Sequence, residues 1–139
     1  MSEADDRTAG RFCWVDLAAS DAASAKDFYG RLFGWQAREQ RANGGQFTKL
    51  SLAGRDLGSL YQMRREHVDQ HLPSRWTPYV RVSDIQDMTN RAVALGGALL
   101  VRPFVVEGVA RIALIRDAVG AELGLWQGIE TMGERGSHG

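Results

Sequence analysis

The chain passes through the same order of structural elements twice, and this internal repeat constrains its fold more than any other feature. Alternating apolar and polar residues predict strands, and two segments with apolar residues at spacings of three and four predict helices. Each half then reads strand, helix, strand, strand, strand. The halves also match in sequence at an offset of 62–65 residues, as in RLFGWQ (31–36) against ALGGAL (94–99) and LYQ (60–62) against LWQ (125–127). Matched helices in matched strand contexts favour a structural repeat over coincidence.

Capping and turn residues set the boundaries of the predicted elements. The first helix is expected to begin at Ser20 or Asp21, and the second at a capping box formed by Ser83 and Gln86. Each helix ends at a glycine, which tolerates the left-handed backbone found there. The predicted strands are Phe12–Ala18, Trp35–Ala42, Gln46–Leu52, Asp56–Met63, Trp76–Val82, Ala98–Val105, Val109–Ile115 and Glu122–Trp126.

These elements predict one α+β domain at 11–128. The predicted organisation is a disordered N-terminus (1–10), a first module (11–63), a charged linker (64–75), a second module (76–128) and a polar tail (129–139). A ferredoxin-like α+β barrel is the alternative fold, but that unit has fewer strands per helix than this chain predicts.

Composition narrows the possible partners and the compartment. Seventeen basic residues balance seventeen acidic ones, so no large electrostatic field attracts nucleic acid or an anionic membrane. No apolar run approaches the roughly 18–20 residues that span a bilayer. The N-terminus MSEADDRTAG lacks the basic and apolar regions of a secretory signal, and the single cysteine, Cys13, permits no internal disulfide. We therefore expect a soluble cytoplasmic protein.

Three segments carry a family resemblance that spans nearly all of residues 11–128. FCWVDLAASDAASAKDFYGRLFGWQ (12–36), WTPYVRVSDIQDMTNRAVALGGALL (76–100) and VARIALIRDAVGAELGLWQ (109–127) resemble the opening, second module and closing hairpin of vicinal oxygen chelate proteins, the glyoxalase and bleomycin-resistance fold. The resemblance implies two βαβββ modules in a cup-shaped open barrel of eight strands, with the helices outside. It also implies a ligand site inside the cup and a homodimer.

Enzymes of this superfamily hold a divalent metal through His, Gln or Glu side chains on the first and last strands of each module. The resemblance places those positions on Trp14, near Ser59, on Thr77 (or on Trp76 if the register slips) and on Gly124. Indole and glycine offer no metal ligand, and lone hydroxyls are poor ones. His67 and His71 are spaced four apart but lack a third ligand at matching spacing, so a solvated connector is favoured there. We expect no metal and no cofactor.

Strand alternation predicts which side chains line the cup instead. The predicted ligand-binding residues are Phe12, Trp14, Ser59, Tyr61, Thr77, Tyr79, Arg81 and Trp126. Aromatic walls suit a planar, hydrophobic or cationic ligand, although aromatic residues also fill small barrels without binding anything. Asp16 and Glu122 are the candidate acid and base, since a carboxylate beside aromatic walls loses hydration. A structural ion pair with Arg81 is the alternative for either carboxylate.

The leading prediction is a metal-independent protein that binds a small hydrophobic or aromatic molecule, for drug sequestration or as an accessory to metabolism. The alternative is an enzyme of lyase, isomerase, epimerase or dioxygenase type. It would be metal-dependent if the ligand register differs, or metal-free with Asp16 or Glu122 as acid or base and Arg81 or Tyr79 stabilising an oxyanion. A purely structural or partner-binding domain is a third possibility.

Overall fold

A computed structural model describes residues 9–129, and within them the predicted α+β class and tandem modules are confirmed. The described part of the chain contains eight strands and three helices. The strands are β1 (Phe12–Ala19), β2 (Gln36–Ala42), β3 (Gly45–Leu52), β4 (Arg55–Gln62), β5 (Arg75–Arg81), β6 (Ala98–Val106), β7 (Ala110–Arg116) and β8 (Glu122–Gly128). The helices are α1 (Ala22–Phe33), α2 (Arg65–Asp69) and α3 (Ile85–Ala94).

Within the described residues the chain forms two compact units, one at Trp14–Thr77 and one that comprises 78–129 together with 9–13. In the first unit the strands lie in the order β2-β3-β4-β1, and β1 runs parallel to β4 with Asp16 opposite Ser59. Alternate residues of these strands turn towards α1 and form a core of Leu17, Ala19, Leu50 and Leu60. The residues between them, which include Asp16 and Ser59, therefore occupy the opposite face of the sheet.

The second unit repeats this arrangement with different side chains. Its strands lie in the order β5-β8-β7-β6, and β5 runs parallel to β8 with Tyr79 opposite Gly124. The core beneath α3 consists of Val82, Ile85, Ala113, Ile115 and Leu125. This placement agrees with the predicted alternation of β5 and β8, in which valine and leucine side chains pack against the helix.

The repeated LYQ and LWQ triplets have a structural role, because each glutamine holds the start of its own module's helix. Gln62 Oε1 accepts a hydrogen bond of 2.9 Å from the backbone N–H of Ala22, and Gln127 Oε1 accepts one of 2.9 Å from that of Ile85. An N-terminal backbone N–H has no partner within its helix, so each glutamine satisfies one such donor. The repeat therefore preserves a strand-to-helix contact as well as a fold.

Replacing Gln127 with methionine should lower the free energy of unfolding by about 2 kcal/mol, because the buried Ile85 N–H would lose its partner without access to water. The matched Gln62→Met change should cost less than about 0.5 kcal/mol, since water can replace the exposed bond to Ala22. Urea unfolding of both variants tests this difference. Equal losses would show that burial does not set the strength of the contact.

Three details differ from the sequence predictions. The N-cap of α3 is Asp84, whose Oδ1 accepts from the Asp87 N–H at 3.1 Å, so the predicted capping box of Ser83 and Gln86 is wrong. Asp84, one residue further along, takes the N-cap position instead, because aspartate is favoured there as strongly as serine. The linker, predicted without helix, contains the short α2. Strand boundaries otherwise shift by one or two residues.

The terminal predictions fall mostly on residues 1–8 and 130–139, which lie outside the described residues. Gly10 lies in the predicted N-terminal lead-in, and its backbone N–H donates to the Arg81 carbonyl at 2.7 Å. Ile129, the first residue of the predicted tail, donates to the Val109 carbonyl at 3.2 Å. None of the helices at 9–129 is long and apolar enough to cross a membrane.

Candidate functional site

A chain of hydrogen bonds crosses the open face of the first unit from β1 to β4 and back. Trp14 Nε1 donates to Ser59 Oγ at 2.9 Å, and Ser59 Oγ donates to Asp16 Oδ1 at 3.0 Å. The parallel pairing of β1 and β4 positions these side chains, because it sets Ser59 directly beside Asp16 and two residues from Trp14. Three residues predicted from the sequence thus meet in one cluster.

The direction of these bonds is determined by the chemistry of the groups. An indole nitrogen can only donate, so the Ser59 oxygen must accept from Trp14 and direct its own proton elsewhere. That proton goes to Asp16 Oδ1. Ser59 is only 7% exposed, so little water competes for its hydroxyl. The cluster therefore presents Asp16 as an oriented hydrogen-bond acceptor.

Tyr61 extends the cluster along β4, two residues beyond Ser59 and opposite Ala18 of β1. Its side chain is 40% exposed, so an aromatic surface is accessible beside the carboxylate. Burial and, to a smaller extent, the negative charge of Asp16 raise the pKa of the Tyr61 hydroxyl, while Arg75 opposes them. Tyr61 therefore remains a neutral phenol at neutral pH and can both donate and accept a hydrogen bond.

A cavity of about 260 Å³ lies in the same unit and reaches Tyr61. Its polar lining includes Glu39, whose Oε2 accepts from Lys26 Nζ at 2.7 Å and from Thr48 Oγ1 at 3.0 Å. The hydrogen bond from Lys26 and, next, that from Thr48 lower the pKa of the Glu39 carboxyl. Phe47 adds an aromatic wall. The cavity is slightly smaller than the usual range for small-molecule sites, which is roughly 300–1,000 Å³.

In the second unit an aromatic ring fills the space beside a glycine. Tyr79 is 4% exposed, and its ring covers Gly124 so closely that a Cβ atom there would meet the ring atom Cγ at 2.7 Å and two neighbouring ring atoms at shorter distances. Trp126 packs edge-on against Tyr79 with ring centroids 6.0 Å apart. This arrangement is a packed aromatic pair, in contrast to the hydrogen-bonded chain of the first unit.

The two strand pairings show which positions of the modules correspond. In the first module Asp16 is opposite Ser59, and Ala18 is opposite Tyr61. In the second module Tyr79 is opposite Gly124, and Arg81 is opposite Trp126. Both modules thus keep an aromatic residue two positions after the central pair, Tyr61 in one and Trp126 in the other. Only the first module has a carboxylate and a hydroxyl in that central pair.

The remaining predicted site residues differ in their exposure to solvent. Phe12 is 71% exposed, whereas Thr77, Arg81 and Glu122 are half-buried, and Glu122 is opposite Arg116 of β7. Burial raises the pKa of Cys13, opposed by the positive charge of Arg81, so the unreactive thiol form is favoured.

The residues at the metal positions of the superfamily do not fit a metal ion. Trp14 uses its only polar hydrogen on Ser59, and Ser59 is engaged on both sides. Gly124 has no side chain, and Tyr79 occupies the space that a ligand there would need. His67 lies in α2, whereas His71 follows it with a φ of 61°, so the two do not share a helix face. In the part of the chain at 9–129 no three His, Cys, Asp or Glu side chains gather at metal-binding distance.

Two features were not predicted from the sequence. The cavity network of Lys26, Glu39 and Thr48 joins residues of α1, β2 and β3, and no pattern in the sequence indicated it. The close contact of Tyr79 with Gly124 was also missed, although a glycine within a strand is a known sign of a close approach.

Comparison with known protein families gives one match across most of the chain. The family model described as a glyoxalase-like domain matches residues 14–125. CFP32 of Mycobacterium tuberculosis, by its name a candidate glyoxylase, is 31% identical over 116 residues, which are 82% of this chain and 44% of that protein. The anthracycline biosynthesis protein DnrV of Streptomyces peucetius is 32% identical over 146 residues, or 94% of this chain and 53% of DnrV. The chain spans about half the length of these curated relatives.

Solved structures support the fold. The methylmalonyl-CoA epimerase of Mycobacterium tuberculosis superposes with a TM-score of 0.63 at 22% identity, covering 86% of this chain and 87% of that one. A glyoxalase/bleomycin resistance protein/dioxygenase superfamily member from Vibrio splendidus superposes with a TM-score of 0.55 at 16% identity, covering 84% and 99%. At these identities the similarity concerns the fold alone.

Proposed function

This chain belongs to the glyoxalase-like domain family, and from that premise we propose that it binds a planar aromatic small molecule without a metal, on the first-unit face that carries Trp14, Asp16 and Tyr61. The hydrogen-bonded chain from Trp14 through Ser59 to Asp16 is the observation that carries the proposal. It fixes an indole and a carboxylate beside an accessible phenol, and two of its members, Trp14 and Ser59, lie where the resemblance places metal ligands. A mostly apolar surface with a few oriented polar groups is the usual form of a small-molecule site.

The kind of ligand follows from the side chains and is supported by one relative. Indole and phenol rings recognise planar molecules by offset stacking and edge contacts, each worth about 0.5–1.5 kcal/mol beyond the area that they bury. DnrV is named for anthracycline biosynthesis, and anthracyclines are fused, planar ring systems. We therefore assign a polycyclic aromatic metabolite as the ligand class, which this domain would sequester or hold for another protein.

Trp14→Ala should weaken binding of a neutral hydroxyanthraquinone by at least about tenfold. The substitution removes both a stacking surface and the hydrogen bond from the indole to Ser59. Titration calorimetry on protein dialysed against EDTA measures the affinity. Trp14→Phe should retain most of it, because the ring remains. Phe28→Ala is the matched control, as this aromatic side chain is 57% exposed on α1.

Two results would contradict the proposal. A wild-type protein that binds no planar aromatic compound with a Kd below 1 mM (about −4 kcal/mol of binding free energy) would exclude the assigned ligand class. Binding that disappears in EDTA and returns with one divalent ion would contradict the metal-free site.

A metal-free isomerase or epimerase is the second candidate, favoured by the hydrogen bond from Ser59 that orients the Asp16 carboxyl group. An ionised carboxylate at an aromatic face can act as a general base. Here Asp16→Asn should abolish turnover of the eventual substrate with little loss of stability, and unchanged turnover would reject Asp16 as the base.

A further inference from the structure

We infer that the cavity between α1 and the strands β2, β3 and β4 is a second binding site, which takes a neutral planar molecule through its amide group. The ion pair of Lys26 with Glu39 and the ring of Phe47, which all line the cavity, carry the inference. No residue of the hydrogen-bonded chain on the open face lines this cavity. The inference therefore goes beyond the proposed function and does not depend on it.

The first step is the orientation of the Glu39 carboxylate. Its Oε2 atom accepts two hydrogen bonds, one of 2.7 Å from Lys26 Nζ and one of 3.0 Å from Thr48 Oγ1. Thr48 is only 4% exposed, so little water competes for its hydroxyl proton. A carboxylate oxygen has about two lone-pair positions, so Oε2 is fully used. Within residues 9–129 the Oε1 atom accepts no hydrogen bond, and it is the atom left for an incoming donor.

The second step concerns the Lys26 ammonium group beside that carboxylate. An ammonium group has three N–H donors, and Lys26 gives one of them to Glu39. The described part of the chain supplies no acceptor for the other two. Both side chains can be reached from solvent, since that of Lys26 is 31% exposed and that of Glu39 is 53% exposed. The cavity therefore offers a donor and an acceptor side by side.

The third step is the chemical group that satisfies both atoms. The charges of Lys26 and Glu39 cancel, so a charged ligand would be attracted by one of them and repelled by the other. An amide is neutral, and in a primary amide or a lactam the carbonyl oxygen and an N–H lie on the same side. The oxygen can accept from Lys26 while the N–H donates to Glu39 Oε1. Both bonds would involve a charged partner, which makes them stronger than bonds between neutral groups.

The rest of the lining favours a planar ring next to that amide. Phe47 contributes an aromatic wall, on which a planar molecule can stack. Leu60, which is 0% exposed, adds an apolar wall. The volume of about 260 Å³ lies below the roughly 300–1,000 Å³ of sites for drug-sized ligands, which indicates a molecule of one or two rings. A small aromatic amide or a bicyclic lactam meets all these conditions.

Two ligands that differ at one position test the inference. Isoquinolin-1(2H)-one is a bicyclic lactam, and in isocoumarin a ring oxygen replaces its N–H. The lactam should bind the wild-type protein at least about fivefold more tightly, because the lactone cannot donate a hydrogen bond to the Glu39 carboxylate. Titrations followed by two-dimensional ¹H–¹⁵N NMR measure both affinities. The lactam should also shift the backbone resonances of residues 46–48, which line the cavity.

Variants separate the roles of the two charged residues. Glu39→Met should bring the lactam-to-lactone affinity ratio close to one, because the acceptor for the lactam N–H is lost. Lys26→Met should weaken both ligands at least about threefold, because each carbonyl oxygen loses its donor. Asp27 and Arg31 form an exposed ion pair elsewhere on α1 and do not line the cavity, so Asp27→Met and Arg31→Met should leave both affinities unchanged.

Each outcome has a distinct meaning. Equal affinities for lactam and lactone in the wild type, or no binding of either, would overturn the inference. A ratio that persists in Glu39→Met, or resonance shifts that spare residues 46–48, would overturn it as well, because the lactam would then bind elsewhere. Tighter binding of 1-naphthoate than of the lactam would show that the charge of Lys26 is recognised and not an amide. The proposed function depends only on the hydroxyanthraquinone titration, which Glu39→Met should leave unchanged.

Discussion

Replacing Gly124 with alanine should lower the free energy of unfolding by about 3 kcal/mol, the upper end of the usual range for overpacking a core. The added Cβ atom would overlap the Tyr79 ring at three of its atoms. Tyr79 is almost fully buried and packs against Trp126, so its ring has little room to move away. Urea or thermal unfolding of the purified variant measures the loss.

A double-mutant cycle shows whether the ring causes the loss. In a Tyr79→Leu background the Gly124→Ala change should cost less than about 1 kcal/mol, which leaves a coupling free energy of about 2 kcal/mol between neighbouring sites. Gly45→Ala is the matched control: the nearest atom to its added Cβ is 3.8 Å away, so its effect should be small. Additive losses in the cycle would mean that Tyr79 is not the obstacle.

Gly58→Ala should destabilise the first unit by a similar amount, about 3 kcal/mol, but through the backbone. Its added Cβ would lie 2.5 Å from the Val15 carbonyl oxygen and 2.8 Å from Val15 Cγ2. A backbone carbonyl in a paired strand cannot rotate away, so β4 and β1 would have to separate. Since Ser59 follows Gly58, the separation should also lengthen the bond from Ser59 to Asp16 and reduce ligand affinity.

Truncating the neighbouring side chain should largely rescue Gly124→Ala but should not rescue Gly58→Ala. Val15→Ala removes Cγ2 but leaves the carbonyl oxygen, so it should not rescue Gly58→Ala. Unfolding free energies of the double variant, compared with those of both single variants, test this expectation. A rescue larger than about 1 kcal/mol would show that side-chain contact, and not the backbone, limits the approach of the strands.

The two modules share one framework but differ in the side chains of their central strand pair. Both modules hold their helix with a glutamine from the last strand, and both place an aromatic residue after the central strand pair. The first module fills that pair with Asp16 and Ser59, while the second fills it with Tyr79 and Gly124. The hydrogen-bonded polar cluster thus lies in the first module, and the second module has a packed aromatic pair at the corresponding positions.

The sequence by itself determined the α+β class, the two βαβββ modules and the alternation of the main strands. These properties depend on spacing along the chain: apolar periodicity distinguishes strand from helix, and turn residues such as Asn43-Gly44 adopt the positive φ angles that a tight hairpin needs. Trp14, Asp16, Ser59 and Tyr61 were accordingly predicted on one face.

Only the tertiary structure decided what those side chains do to each other. Trp14 and Ser59 are 45 residues apart, and their contact depends on the register of two parallel strands that no local pattern encodes. Likewise, only the tertiary structure explains why residue 124 is a glycine, because the Tyr79 ring lies where a side chain would be. A hydrogen bond or a steric contact depends on tenths of an ångström in three dimensions, whereas sequence periodicity resolves only the face on which a residue lies.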